Sequence, residues 1–247
     1  MYGFDLGMKD GLVCLLREMV KVEGLEWIRL LYCYPTFLNS EMIELIGAEP
    51  KVCSYIDVPL QHTHDEMLTS MKRQETERGV RKMLEEVRLK IPDVALRTTF
   101  ITGFPGETEA HFQHTVRFLC EMEFDHVGIF TYSDEEGTTA YDYPGRVPEE
   151  VKEERKNVLM EFQKDIALRK NRERLGKIEP VLVEGFDPQE NYLMTGRLTS
   201  QAPDIDGQVF LEKCEAEPGQ IISAEIKRVA DYDLIAEPVQ VPVSHES

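Results

Sequence analysis

The sequence predicts an α/β fold, a parallel sheet with helices packed outside it, followed by a small antiparallel β-barrel. Three observations carry this. Up to about residue 148, short apolar β-branched runs alternate with stretches of helical periodicity. Strands separated by helices are joined by right-handed crossovers and so lie parallel. From Glu149 to Leu175 the chain reads as one long charged helix, with Gly176 as a natural stop. Beyond Lys177 only short strands with turn residues between them remain, which suits a small barrel.

Taken in order, Gly11 to Val22 places Leu12, Leu15, Leu16, Met19 and Val20 at helical spacing, and WIRLLYCY, Trp27 to Tyr34, reads as a strand stopped by Pro35. A short helix, Ser40 to Ile46, follows. Tyr55 to Pro59 is the second strand and runs into Leu60-Gln61-His62, after which Thr63 and Glu66 have the spacing of a capping box. An amphipathic helix covers Glu75 to Lys90. The stretch around which the rest is arranged is LRTTFITGFPGET, Leu96 to Thr108. Its apolar strand ends where Gly103 and Gly106 let the backbone turn sharply and approach a bound group, and Pro105 fixes one φ between them. An ordinary strand-to-helix turn has the same spelling. Thr108 is the expected cap of the next helix, Glu109 to Met122. The fourth strand is HVGIFTY, His126 to Tyr132, ending in the polar turn Ser133 to Thr139. The sites of such sheets lie at the strands' C-terminal ends, where Tyr34, Gln61, His62, Gly103, Glu107, Tyr132 and Ser133 fall.

The long helix carries an apolar stripe, Val151, Val158, Leu159, Phe162 and Ile166, expected to pack on the sheet. Five strands follow it, at Val181 to Glu184, Leu193 to Arg197, Gln208 to Leu211, Ile221 to Ile226 and Leu234 to Ala236. The domains are thus expected at 1–148, 149–176 for the connecting helix and 177–238, with 239–247 a disordered tail. No apolar run approaches the ~18 residues that span a bilayer, and the start MYGFDLGMKD has neither a basic leader nor an apolar core, which places the chain in the cytoplasm. The five cysteines are odd in number and widely spaced, so they suggest neither a disulfide framework nor a zinc site. A net charge of -18 argues against broad nucleic-acid affinity and towards a basic partner.

The blocks YGFDLG, WIRLLYCYP, YIDVPLQHTHDEMLTSMKR, RTTFITGFPGET, FTYSDEEGTTA and APDIDG occur here in one order. With them the chain resembles the radical S-adenosylmethionine methylthiotransferases nearly end to end. The resemblance implies a partial TIM-type barrel binding S-adenosylmethionine at its C-terminal mouth, then a small β-barrel of the type called TRAM. It also implies methylthiolation of an aspartate β-carbon in a small-subunit ribosomal protein, by way of an adenosyl radical. Carried over by position, Gln61 and His62 fall where the family meets the ribose and methionine end of the cofactor. Arg97 and Thr99 match the next strand, with Arg97 suited to the methionine carboxylate, since a buried arginine is costly unless paired. Phe130, Tyr132 and Ser133 match the strand where adenine is held. His62 equally suits a loop carbonyl, His64 reads as solvated, and His111, His114, His126 and His245 show no metal-site spacing.

One departure is severe. The family holds a four-iron four-sulfur cluster with a CxxxCxxC triad, and this sequence has none. The family pattern also puts an amino-terminal domain and two strands before the first matching block, so Met1 is expected to be an internal start and the chain alone to lack radical chemistry. The sister activity on transfer RNA adenosine is the first alternative. Residues 177–247 hold five basic and fourteen acidic residues, which repels phosphate and complements a basic ribosomal protein. A cluster-free binding remnant is the second. The open edge along WIRLLYCY, with only Arg29 as a charged gatekeeper, is expected to drive association.

Overall fold

The computed structural model describes residues 2–186 and 194–239. The chain divides into two compact units, Met1–Gln163 and Lys164–Ser247. The first contains helix α1 (Gly11–Met19), then β1 (Ile28–Leu30), α2 (Ser40–Ala48), β2 (Val52–Asp57), α3 (Asp65–Ser70), α4 (Glu77–Lys90), β3 (Ala95–Thr102), α5 (Glu109–Met122) and β4 (His126–Thr131). The four strands form one sheet in the order β1-β2-β3-β4, and every neighbouring pair is parallel. Tyr55, Ile56, Phe100, Leu119 and Phe124 are fully buried in its core. Each such side chain contributes roughly 1.5–3 kcal/mol by leaving water.

Helix ends follow short-range chemistry. The Asn39 side chain accepts from the Met42 amide at 2.9 Å to start α2, and Thr76 accepts from Gly79 at 3.2 Å to start α4. Thr108 caps α5 as expected, with His111 closing a capping box by accepting from the Thr108 amide. At α3 the expectation fails. The cap is His64, whose Nδ1 accepts from the Glu66 amide. Thr63 is buried and spends its hydroxyl on His114 and Thr115 instead.

The first strand is also shorter than WIRLLYCY suggests. After Leu30 the chain leaves the ladder, Tyr32 adopts φ 57, and its amide donates to the Asp57 carboxylate at 3.0 Å. The Cys33 amide then donates to the Asp57 carbonyl. An edge of three residues presents few unpaired backbone groups, a common protection against edge-to-edge pairing.

Helix α6 (Glu149–Arg172) runs through the boundary between the units. Within the first unit its buried line is Lys152, Arg155, Leu159 and Gln163, while Phe162 of the expected apolar stripe is 40% exposed. Polar anchors replace the apolar ones because the helix lies against carbonyls. Lys152 Nζ donates to the Tyr132 carbonyl at 2.9 Å, and Gln163 Nε2 donates to the Phe124 carbonyl at 3.1 Å.

The second unit adds β5 (Ile178–Phe186), β6 (Met194–Leu198), β7 (Val209–Leu211), β8 (Ile221–Ala230) and β9 (Asp233–Pro238), closed as a barrel in the order β5-β6-β7-β9-β8. Val181, Val183, Val209, Leu211, Ile226 and Leu234 fill it. The barrel is not wholly antiparallel, for β7 and β9 run parallel. Five strands closed into a ring cannot alternate direction at every step, so one pair must be parallel. Leu193, where one strand was expected to begin, and residues 240–247 of the tail expected at 239–247 lie outside the described residues, while the Val239 amide donates to the Ser223 carbonyl at 2.9 Å. Among the described residues no helix is long and apolar enough to cross a membrane.

Candidate cofactor site

Strand register builds the site. Asp57 pairs with Arg97 and Arg97 with His126, Thr99 with Gly128, and Ile101 with Phe130, so these side chains share one face of the sheet. The alternate residues Thr98, Phe100 and Ile129 face the other way and are buried. Towards the strand ends the first face opens. Thr99 and Ile101 are half-buried there, and Phe130 is 58% exposed.

Gln61 sits just past β2 with φ 69, held by a single bridge in which its amide donates to the Thr99 carbonyl and its carbonyl accepts from the Ile101 amide, both at 2.8 Å. Its side chain lines the cavity at the strand ends, and its Oε1 is buried without a hydrogen-bond partner. The Tyr132 hydroxyl is likewise buried without one. Its ring meets Phe104 edge-on at 5.1 Å, and Lys152 Nζ lies 5.6 Å from the ring centre. Gln61, Ile101, Phe104, Tyr132 and Tyr143 line a cavity of about 400 Å³. A buried polar group without a partner is costly, so two of them facing one apolar and aromatic cavity mark a place for a polar ligand.

His62 behaves differently. It is 2% exposed, its Nδ1 accepts from the amides of Thr63 and His64, and its Nε2 faces Glu107 Oε1 at 3.3 Å. Two amides on Nδ1 put the proton on Nε2. Burial holds the imidazole pKa below its ordinary value against the pull of Glu107. Glu107 is buried too, and accepts from the Gly103 amide at 2.7 Å and Arg155 Nη1 at 2.6 Å. Burial alone would raise its pKa. The hydrogen bonds from His62 and Gly103 and the Arg155 charge outweigh burial and keep the carboxyl below its usual range. This network locks the turn at Gly103 to β2's exit and to α6.

Arg97, expected to meet a methionine carboxylate, already has a partner. Its Nη1 donates to Asp57 Oδ1 at 3.0 Å, with Arg97 7% and Asp57 0% exposed. Ser133 is exposed and donates to Glu135. Of the seven expected residues, the cavity gathers Gln61 and Tyr132, and Thr99 and Phe130 stand on the open face beside it. His62 and Arg97 are spent on internal carboxylates. Asp57, Phe104, Lys72 and the tie from Glu107 to Arg155 escaped the sequence reading. For Asp57 and Glu107 a signal existed, a carboxylate inside or just after an apolar strand. A larger cavity of about 670 Å³ lies against Tyr2, Met8 and Thr36 and touches none of the expected residues.

The chemistry of this pocket fits S-adenosylmethionine, with aromatic walls for a purine and two unsatisfied polar atoms for its hydrogen-bonding edge or ribose. A four-iron cluster does not fit. Cys14 and Cys120 are exposed on helices, Cys53 is buried in β2, and Cys33 has its thiol pushed up to about 11 by burial and the Asp57 charge. Soft thiolates grouped together are what such iron needs. One other group converges, His64, Glu66 and His111, with ligand atoms within 4.8 Å of one another. Both imidazoles spend Nδ1 on helix-capping amides, and His111 Nε2 faces Glu66 at 3.3 Å, so their protons stay on Nε2.

Residues 7–119 match the radical SAM superfamily and residues 175–239 the TRAM domain. Ribosomal protein uS12 methylthiotransferase RimO of Syntrophotalea carbinolica is 47% identical over 96% of this chain and 52% of its own length. The RimO of Trichlorobacter lovleyi is 44% identical over 97% and 53%, and that of Geobacter sulfurreducens 45% over 96% and 53%. Among solved structures, coproporphyrinogen III oxidase from Escherichia coli, a radical SAM enzyme, aligns with TM-score 0.49 and 16% identity over 87% of this chain and 50% of its own. The chain spans about half the length of the curated relatives it matches. The chain thus carries a radical SAM domain joined to a TRAM domain, and along 96–97% of its length it is similar to proteins named as methylthiotransferases.

Proposed function

We propose that this chain forms the S-adenosylmethionine-binding and substrate-docking part of a methylthiotransferase that acts on an aspartate β-carbon of ribosomal protein uS12 in the cytoplasm. The observation that carries this is the similarity at 44–47% identity, over 96–97% of the chain, to three proteins named uS12 methylthiotransferase. Bound S-adenosylmethionine supplies the one-electron chemistry that functionalises an unactivated carbon. Within this chain Gln61 Oε1 and the Tyr132 hydroxyl meet the adenosine, and Thr99 and Phe130 border it. His62 and Glu107 hold the turn that shapes the cavity. The cluster ligands do not lie in this chain, and no step is assigned to its cysteines.

The acidic second unit supports uS12 over transfer RNA as the substrate. Within it, residues 177–247 hold five basic and fourteen acidic residues, which repel phosphate and complement a lysine- and arginine-rich ribosomal protein. The test compares cells with and without the gene encoding this chain, by mass spectrometry of uS12 and of transfer RNA nucleosides. A methylthio adduct on a uS12 aspartate that disappears with the gene supports the reading. Loss of a methylthio nucleoside with uS12 unchanged overturns it.

A further inference from the structure

We propose that Lys72 is the carboxylate-binding residue of the cavity at the strand ends, a role that rests on that cavity being the cofactor and substrate site. In a chain of net charge -18, the residues lining the cavity include Lys72 and Arg73 and no carboxylate. That is the reverse of the chain's average and selects for a negative group. Arg73 is already committed, to Glu75 at 3.0 Å, to the Pro59 carbonyl and to the face of the Tyr34 ring at 4.5 Å. Lys72 is not. Its Nζ donates to the Thr139 hydroxyl at 3.0 Å, across the same cavity, and among the described residues it meets no acid.

The backbone makes the same point. Helix α3 ends with the Lys72 amide bonded to the Thr69 carbonyl and the Arg73 amide to the Leu68 carbonyl. This is the paired-bond ending whose left-handed position glycine or asparagine normally fills. Here lysine fills it at φ 55, at a backbone cost of about 1 kcal/mol. A long cationic side chain held in a strained position beside a cavity free of acids is suited to a ligand carboxylate. Arg97 does not serve that purpose, because Asp57 neutralises it.

Two carboxylates share this chemistry, the amino-acid end of S-adenosylmethionine and the target aspartate side chain. Titration calorimetry on the whole chain separates them. The probes are S-adenosylmethionine, methylthioadenosine, which lacks the carboxylate, and a uS12-derived peptide with aspartate or asparagine at the target position. The variants are Lys72→Asn, which suits the backbone, and Lys72→Arg, which restores the charge. We expect Lys72→Asn to weaken one carboxylate ligand by roughly tenfold or more and Lys72→Arg to restore most of it. Loss confined to S-adenosylmethionine, with methylthioadenosine unchanged, assigns Lys72 to the cofactor. Loss confined to the aspartate peptide assigns it to the substrate. Equal loss for methylthioadenosine or the asparagine peptide, or no loss for any probe, overturns the inference. If no probe binds the unaltered chain, the reading of the cavity falls together with it.

Discussion

Arg97 on β3 and Asp57 on β2 are register partners whose side chains meet at 3.0 Å, and both are buried. The second Asp57 oxygen accepts from the Tyr32 amide at 3.0 Å, so one carboxylate joins the central strand to the turn that ends β1. Removing one member leaves a buried charge. Arg97→Met is expected to cost about 3–5 kcal/mol, and the double variant Arg97→Met, Asp57→Asn less than the sum of the two single changes. Urea unfolding of the four proteins measures this, and strict additivity would show that the two groups do not interact.

The buried pair of His62 and Glu107 makes stability depend on pH in a stated direction. The His62 pKa is lowered in the folded state, so its contribution is complete above the ordinary value of 6.5 and is lost as pH falls through the lower folded value. The Glu107 pKa is also lowered, and its contribution is complete above the ordinary 4.5 and lost as pH falls further. Melting temperature should therefore fall in two stages, first below about 6.5 and then below about 4.5. In His62→Gln the first stage should vanish and the second should shrink, because the His62 hydrogen bond is one of the causes that lower the Glu107 pKa. A melting temperature flat between pH 7 and 5 in the unaltered chain would sink this.

Gly103 and Gly106 both have positive φ, 76 and 86, yet they differ in space. A Cβ on Gly103 would lie 2.2 Å from Lys152 Cγ, whereas one on Gly106 meets nothing within 4 Å. Gly106→Ala is expected to cost about 1 kcal/mol from backbone strain alone. Gly103→Ala adds a clash with a buried side-chain stem and should cost about 2–4 kcal/mol. Chemical denaturation of both variants decides, and equal costs would remove the packing argument.

In the second unit, Gly207 approaches the chain at Tyr232, where a Cβ would sit 2.1 Å from that residue's carbonyl oxygen. The Gln208 amide beside it donates to Asp233 Oδ1 at 2.9 Å, which ties the entry to β7 to β9. Gly207→Ala should therefore loosen the parallel pair and destabilise the barrel by about 1–3 kcal/mol. Amide hydrogen exchange is the measure, with faster exchange expected at Phe210 and Ile235 than in β5.

Much of this architecture lies within short windows of sequence. The alternation of strands and helices, the glycine turn after β3 and the Thr108 cap each depend on residues a few positions apart, whereas the long helix ends at Arg172, ahead of the expected stop at Gly176, and the quoted motifs carried the family resemblance. What lay beyond those windows depended on distance. Arg97 and Asp57 are 40 positions apart, His62 and Glu107 45, and Arg155 and Glu107 48. Only strand register and the path of α6 bring those charges together. Burial then decides which of them are spent inside the chain and which, like Lys72, remain for a ligand. Local periodicity and turn chemistry are properties of the chain by itself, whereas the partner of a buried charge is set by packing, and that is where the tertiary structure gave Arg97 and His62 the internal partners Asp57 and Glu107.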